Sequence, residues 1–167
     1  LFQLFRQHGY DGVSLAKIAA ATELGKASLY HHFPGGKAEM LAATLAYTQR
    51  WMEDNVLELM QNGGSPLERF QKMCDRLNDL YASGEQPCLI AALTLGAPRD
   101  VFHEQVKAQL QGLVNAIATV LIEAGLPVST ARQRGEDAVI TIQGALILSR
   151  GLDDSSPFQR AIAQLPQ

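Results

Sequence analysis

The stretch from residue 22 to residue 41, TELGKASLYHHFPGGKAEML, concentrates side chains that could do chemistry. Its run Tyr30-His31-His32-Phe33 is followed by a Pro-Gly-Gly break and then by Lys37. Histidines can bind metals, transfer protons or donate hydrogen bonds to phosphate. Two adjacent histidines between two aromatic rings therefore leave four interpretations open: a metal site, a catalytic cluster, a core patch or a surface that contacts a ligand.

The metal and catalytic interpretations lack the further residues that they require. Adjacent residues on a helix project about 100° apart, so a His-His pair chelates a metal poorly. His103-Glu104 has no second histidine at the spacing of the H-E-x-x-H zinc motif. The sequence contains no Glu-x-x-His run, no G-x-S-x-G motif and no phosphate-binding Gly-rich loop. We therefore expect no metal, no cofactor and no enzymatic activity.

Composition is that of an ordinary globular protein, with 47% hydrophobic and 19% charged residues. No apolar run approaches the roughly 20 residues that span a bilayer, so a membrane partner is not expected. Cys74 and Cys88 lack C-x-x-C spacing, which fits two core residues in a reduced, cytoplasmic protein. Helical periodicity is already present at Leu1, Leu4 and Phe5, so we expect the chain to begin inside a helix.

The net charge of −3 conceals an asymmetry between the two ends of the chain. Residues 1–50 carry five Lys or Arg against three acids, whereas residues 51–167 carry nine against fourteen. A mildly basic N-terminal segment on an acidic body permits binding to nucleic acid without requiring it.

The elements that position these residues are predicted to be helices throughout, because apolar spacings of three and four recur and strand-like alternation does not. Ser14 is a suitable N-cap, and Gly or Pro marks most of the boundaries. The almost wholly apolar segment 88–95 should be buried on all sides. The predicted helices span residues 1–8, 14–21, 25–32, 37–61, 66–82, 88–95, 98–124, 129–150 and 157–165.

The three N-terminal helices are each too short to be stable alone. Helices 14–21 and 25–32, joined by a tight turn and crossed against the first helix, would form a helix-turn-helix whose second helix can enter the DNA major groove. The predicted fold is therefore all-α: a three-helix helix-turn-helix module in residues 1–45, followed in residues 46–167 by a helical bundle. A module of this kind could instead contact another protein, which would make the chain a binding or scaffold protein.

Short groups of residues follow one another in a fixed order over the first 45 positions: Gly9-Tyr10, Ser14-Leu15, Ile18-Ala19, Lys26, Ser28-Leu29-Tyr30, His32-Phe33, Lys37 and Met40-Leu41. In this order and spacing they closely resemble the DNA-binding region of TetR-family transcriptional repressors. Two positions depart from the family pattern: Glu23 stands in the turn where glycine is usual, and Gly25 stands where the recognition helix usually begins with serine.

The resemblance implies that the cluster is a DNA-contacting surface for a double-stranded operator. Lys37, at the start of a helix, would hold a phosphate together with a backbone amide. His32 is expected to pack and hydrogen-bond within the module, and Phe33 to belong to its core. The DNA-contacting residues implied by the resemblance are Ser14, Lys26, Ala27, Ser28, Tyr30, His31 and Lys37.

The resemblance also implies a homodimer, in which the helices at 129–150 and 157–165 of both subunits form a four-helix interface. Small residues there would allow close helix approach, although they could equally pack inside one subunit. The predicted interface residues are Gly135, Ala138, Ile142, Ala145 and Ser149, with Gly144 as a further small residue.

In the resembled family the body also encloses a ligand pocket, so the chain should be released from DNA by a small hydrophobic or aromatic inducer. The run CLIAALTLG at residues 88–96 and the C-terminal layout resemble the LmrA/YxaF branch, whose members respond to drug-like or flavonoid compounds. The alternative is that the same side chains are plain core. The predicted pocket residues are Trp51, Phe70, Cys74, Leu77, Tyr81, Leu93, Phe102, Val106, Leu110, Ile142 and Leu146.

Overall fold

The computed structural model describes residues 1–94 and 98–166, and every regular element within these ranges is helical, which confirms the all-α prediction. Leu95, the predicted end of the short apolar helix, lies outside the described residues. The elements are α1 (Phe2–His8), α2 (Leu15–Thr22), α3 (Lys26–His32), α4 (Gly36–Met52), a π-helical segment (Glu53–Leu57), α5 (Glu58–Gln61), α6 (Pro66–Leu80), a 3-10 turn (Ala82–Gly84), α7 (Leu89–Leu93), α8 (Pro98–Glu123), α9 (Val128–Leu152) and α10 (Ser156–Gln164).

The chain forms two compact units. Unit 1 comprises Leu1–Arg50 together with Leu89–Val106, and unit 2 comprises Trp51–Cys88 together with Lys107 onward. A domain boundary near residue 45 stays a prediction. Within residues 1–94 and 98–166, none of the helices combines the length and the apolar character that crossing a bilayer demands.

Unit 1 is built on helices of seven and eight residues that bury their apolar side chains. Phe5 and Ile18 are fully buried and Leu29 is 2% exposed. α4 adds a buried row, which consists of Met40, Leu41, Thr44 and Leu45. This shared burial stabilises helices that would be marginal in isolation.

The short helix α7 packs against α1 within unit 1. Leu89 and Leu93 are buried, whereas Ile90, Ala91 and Ala92 are half-exposed. The expectation that this segment is buried on all sides is therefore wrong. A five-residue helix that packs against α1 buries the side facing that helix and leaves other side chains partly accessible.

Unit 2 is held together by α6, α8, α9 and α10. Ser65 and Glu68 form a reciprocal capping box at the start of α6. The buried guanidinium of Arg69 donates from Nη1 to the Met60 carbonyl at 2.8 Å and from Nη2 to the Glu123 carboxylate, which ties α5, α6 and the end of α8. In addition, the Phe158 amide at the start of α10 donates to Ser149 Oγ of α9 at 3.1 Å.

The single long helix predicted at 37–61 is interrupted by a π-helical segment. The Glu58 amide donates to the carbonyl of Glu53, five residues back, and Asn55 Nδ2 donates to the Trp51 carbonyl at 2.9 Å. A π turn contains one residue more than an α turn and so shifts the phase of everything that follows it. After this segment Met60 is buried at 1% exposure, whereas Leu59 is half-buried.

Candidate nucleic-acid interface

The site is organised by α2, the turn after it, and α3. Ser14 has an extended backbone and its Oγ accepts a hydrogen bond from the Lys17 amide at 3.2 Å, so it caps α2 as predicted. Glu23 ends α2 in the left-handed conformation, at φ 57° and ψ 19°. Gly25 precedes α3 without a side-chain cap. α2 and α3 pack directly on each other, which is the arrangement of a helix-turn-helix.

α3 buries one side and presents the other to solvent. Leu29 is its buried residue, and Ser28 is half-buried. Tyr30 is 49% exposed, and one edge of its ring lies 3.6 Å from the position that a Cβ on Gly36 would take. The exposed residues of the predicted contact set on this helix are Lys26, Ala27, Tyr30 and His31.

His32 is exposed, so the prediction that it packs inside the module is wrong. Its ring lies edge-on to that of His31, with the centroids 5.3 Å apart. The resemblance implied packing, but α3 ends at His32 and the side chain of this last residue is left exposed. Phe33, predicted in the core, is half-buried, and its amide donates to the Leu29 carbonyl at 2.8 Å.

Lys37 has partners that the sequence did not reveal. Its Nζ donates to the Tyr10 carbonyl at 3.0 Å and lies 4.1 Å from the centroid of the Tyr10 ring. The side chain is half-buried rather than free. Nearby, the Gly35 amide donates to the Glu39 carboxylate at 2.7 Å, so an acidic group already occupies one amide at the start of α4.

The predicted pocket residues are divided between the two units, with Leu93, Phe102 and Val106 in unit 1 and the others in unit 2. All are buried except Trp51 and Leu110, which are half-buried. Burial raises the pKa of Cys74 to about 12, so its thiol is neutral and unreactive at physiological pH. In unit 2 the Tyr81 ring packs edge-on against Phe158 at 5.7 Å, and its hydroxyl donates to Cys88 Sγ at 3.5 Å.

The burial of four predicted interface residues corrects the predicted dimer face. Gly135, Ala138, Ile142 and Ser149 are buried within the chain itself, and Ala145 is half-buried. A Cβ on Gly135 would lie 2.7 Å from the Val114 carbonyl oxygen, so this small residue permits close approach of α8 to α9 inside one subunit. These residues therefore pack in the way that the sequence left as the alternative.

The opposite side of α9 is exposed and apolar in its C-terminal half. A Cβ added at Gly144 or at Gly151 would meet nothing within 4 Å. We call this surface the outer stripe of α9; its large residues are Ile140 (68% exposed), Ile147 (66%), Leu148 (51%) and Leu152 (60%).

Two protein families match the chain, each over a different segment. Residues 2–44 match the bacterial regulatory proteins of the tetR family. Residues 66–164, more than half of the chain, match the C-terminal domain of LmrA/YxaF-like transcriptional regulators. The HTH-type transcriptional regulator YxaF of Bacillus subtilis is 25% identical over 168 residues, covering 98% of this chain and 88% of YxaF.

Solved structures share the fold over nearly the whole chain. A TetR transcriptional regulator from Legionella pneumophila superposes with a TM-score of 0.86 at 22% identity, covering 98% of this chain and 90% of its own. A cysteine mutant of the TetR family regulator CifR, bound to 26-bp operator DNA, superposes with a TM-score of 0.78 at 16% identity. This superposition covers 99% of this chain and 90% of the CifR chain.

The left-handed backbone of Glu23 generates a prediction about stability. A side chain with a Cβ is strained at this φ, whereas glycine is not, although glycine loses more entropy on folding. We expect Glu23→Gly to raise the free energy of unfolding by about 0.5–1 kcal/mol in a urea titration. Glu23→Ala, which removes the charge and keeps the Cβ, should give no such gain. Equal gains for both variants would attribute the effect to charge instead of backbone strain.

Proposed function

Because this chain belongs to the TetR family of bacterial regulatory proteins and has an LmrA/YxaF-like C-terminal domain, we propose that it is a ligand-responsive repressor. It binds a palindromic DNA operator as a homodimer and is released by a small apolar or aromatic inducer. The observation that carries DNA binding is the exposed face of α3, where Lys26, Tyr30 and His31 lie around Ala27 while Leu29 anchors the opposite side in the core.

The chemistry of this face suits both parts of DNA recognition. Lys26 and the exposed imidazoles of His31 and His32 can donate to phosphate oxygens, and the Tyr30 hydroxyl can do the same while its ring packs on sugar. Ala27 can contact a thymine methyl group in the major groove. The proposed contact set is completed by Ser14, Ser28 and Lys37. The Ser14 oxygen accepts a hydrogen bond in the α2 cap, so its hydroxyl hydrogen can still be donated to a phosphate.

Selection of bound DNA from a random library with the full-length protein tests the central proposal. We expect an enriched inverted repeat whose half-sites lie about one helical turn, roughly 34 Å, or a multiple of it apart. Binding to the selected site should weaken steeply as salt rises, because phosphate contacts release counterions. Failure to enrich any sequence, combined with the absence of salt-sensitive binding to DNA, would favour a helix-turn-helix that contacts another protein.

Dimerisation is proposed through the outer stripe of α9. Exposed apolar side chains recurring on one side of a helix are costly in water and favour burial against a partner. Gly144 and Gly151 leave open space beside Ile140 and Ile147. Side chains of the same helix in a second subunit, related by two-fold symmetry, can pack into this space. A dimer also matches the requirement of a palindrome for two recognition helices.

We expect Ile147→Glu to abolish the dimer. The substitution would place a carboxylate from each subunit near its copy in a desolvated contact, at a cost of several kcal/mol. Sedimentation velocity should show monomers, and affinity for the selected operator should fall with the dimer. Leu67→Glu is the matched control, because Leu67 is 53% exposed on α6 and lies off the stripe. A dimeric Ile147→Glu protein would exclude this face.

The inducer is proposed to bind among the buried apolar side chains of unit 2. Phe70, Tyr81 and Phe158 supply aromatic surface, and Leu77 and Ile142 are almost fully buried. Apolar lining with a few polar groups is typical of small-molecule sites. The match of residues 66–164 to a regulator domain supports a regulatory role for this unit.

Thermodynamic linkage tests the inducer. A ligand that weakens operator binding 100-fold must itself bind 100-fold more weakly when operator is present, which corresponds to about 2.7 kcal/mol of coupling. We expect calorimetric titration of a compound found by thermal-shift screening of aromatic molecules to show this difference between free protein and operator complex. Equal affinities in the two titrations would make that compound a bystander and leave the unit 2 residues as plain core.

A further inference from the structure

The Lys37 ammonium is held by two contacts from one residue. Its Nζ donates to the Tyr10 carbonyl at 3.0 Å and lies 4.1 Å from the centroid of the Tyr10 ring. The ring contact is a cation–π interaction, which fixes the position of the charge without neutralising it. The ammonium therefore remains a full cation at a defined place beside the first turn of α4.

Tyr10 is itself fixed by aromatic packing within unit 1. Its ring stacks on Phe5 with centroids 6.4 Å apart and 14° between the planes, and it is tilted against Phe102 at 6.4 Å. Phe5 is fully buried and Phe102 is 4% exposed, so both neighbours belong to the core. A rigid ring therefore supports the long, flexible side chain of Lys37.

A supported ammonium binds phosphate more readily than a free one. Lysine has three N–H donors, and the Tyr10 carbonyl uses one of them. A free lysine must give up most of its rotamers when it pairs with a phosphate, whereas Lys37 has already given them up on folding. The remaining donors are available beside the amides that open α4.

We propose that Tyr10 is a positioning residue for DNA binding, which acts by pre-organising the Lys37 ammonium for a backbone phosphate. The proposal rests on the proposed DNA-binding function. It differs from a purely structural role of Tyr10 in one respect: the contribution of the ring to DNA affinity should exist only while Lys37 is present.

A double-mutant cycle on the full-length protein tests this dependence. The proteins are wild type, Tyr10→Leu, Lys37→Met and the double variant, each titrated with the selected operator over a range of salt. We expect Tyr10→Leu to weaken binding about 3- to 10-fold with an unchanged salt slope, because the charge remains. Lys37→Met should weaken binding more and reduce the salt slope of the dimer by about two, one contact for each subunit. The double variant should bind no more weakly than Lys37→Met.

Tyr10→Phe is the matched control and should bind like the wild type, since the ring and the backbone carbonyl are both kept. Thermal melting checks that each variant is folded, and Tyr10→Met, which fills the space with a flexible apolar chain, replaces Tyr10→Leu in the cycle if the latter melts early. A Tyr10 substitution that weakens the Lys37→Met protein as much as the wild type would overturn the proposal. If the wild-type protein shows no DNA binding at all, the proposed function is overturned, and the role of Tyr10 with it.

Discussion

The structure of the DNA-binding unit depends on the burial of one apolar side chain from each of three helices that are too short to be stable alone. Phe5, Ile18 and Leu29 supply this burial from α1, α2 and α3. A helix of seven or eight residues fixes its backbone for only a few internal hydrogen bonds, so tertiary packing must supply the remaining stability. Because each helix has only one or two residues to spare for the core, the rest of its surface stays exposed, and in α3 that surface is the proposed interface with DNA.

The residues that join these short helices are constrained as well. A turn of few residues between α2 and α3 requires a left-handed residue, and this chain places Glu23 there in spite of its Cβ. The Lys37 ammonium crosses from α4 to the loop after α1, where Tyr10 connects it to Phe5 and Phe102. Order in the site is thus imposed by contacts between residues far apart in sequence, on a scaffold whose helices have little stability of their own.

Much of the fold could be predicted because its signals are local. The Ser14 cap, the Gly and Pro boundaries and the apolar spacing lie within a few residues of the elements that they define, and the helices appear close to the expected positions. The π-helical segment could not be predicted, since one extra residue in a helical turn leaves no local signal in the sequence. The packing of His32 was wrongly predicted because it was inferred from the resemblance, whereas in this chain α3 ends at His32 and leaves its side chain exposed.

The sequence by itself determined that the chain is helical, that a helix-turn-helix begins it, and to which family it belongs, because caps, spacing and motif residues are properties of short segments. Only the tertiary structure decided which side of α9 is free, since Gly135 and Ser149 are covered by α8 and α10 while Ile147 is not. The tertiary structure also decided that the Lys37 ammonium lies over the Tyr10 ring. Both outcomes depend on which surface is covered by residues distant along the chain, and periodicity identifies an apolar side without identifying what covers it.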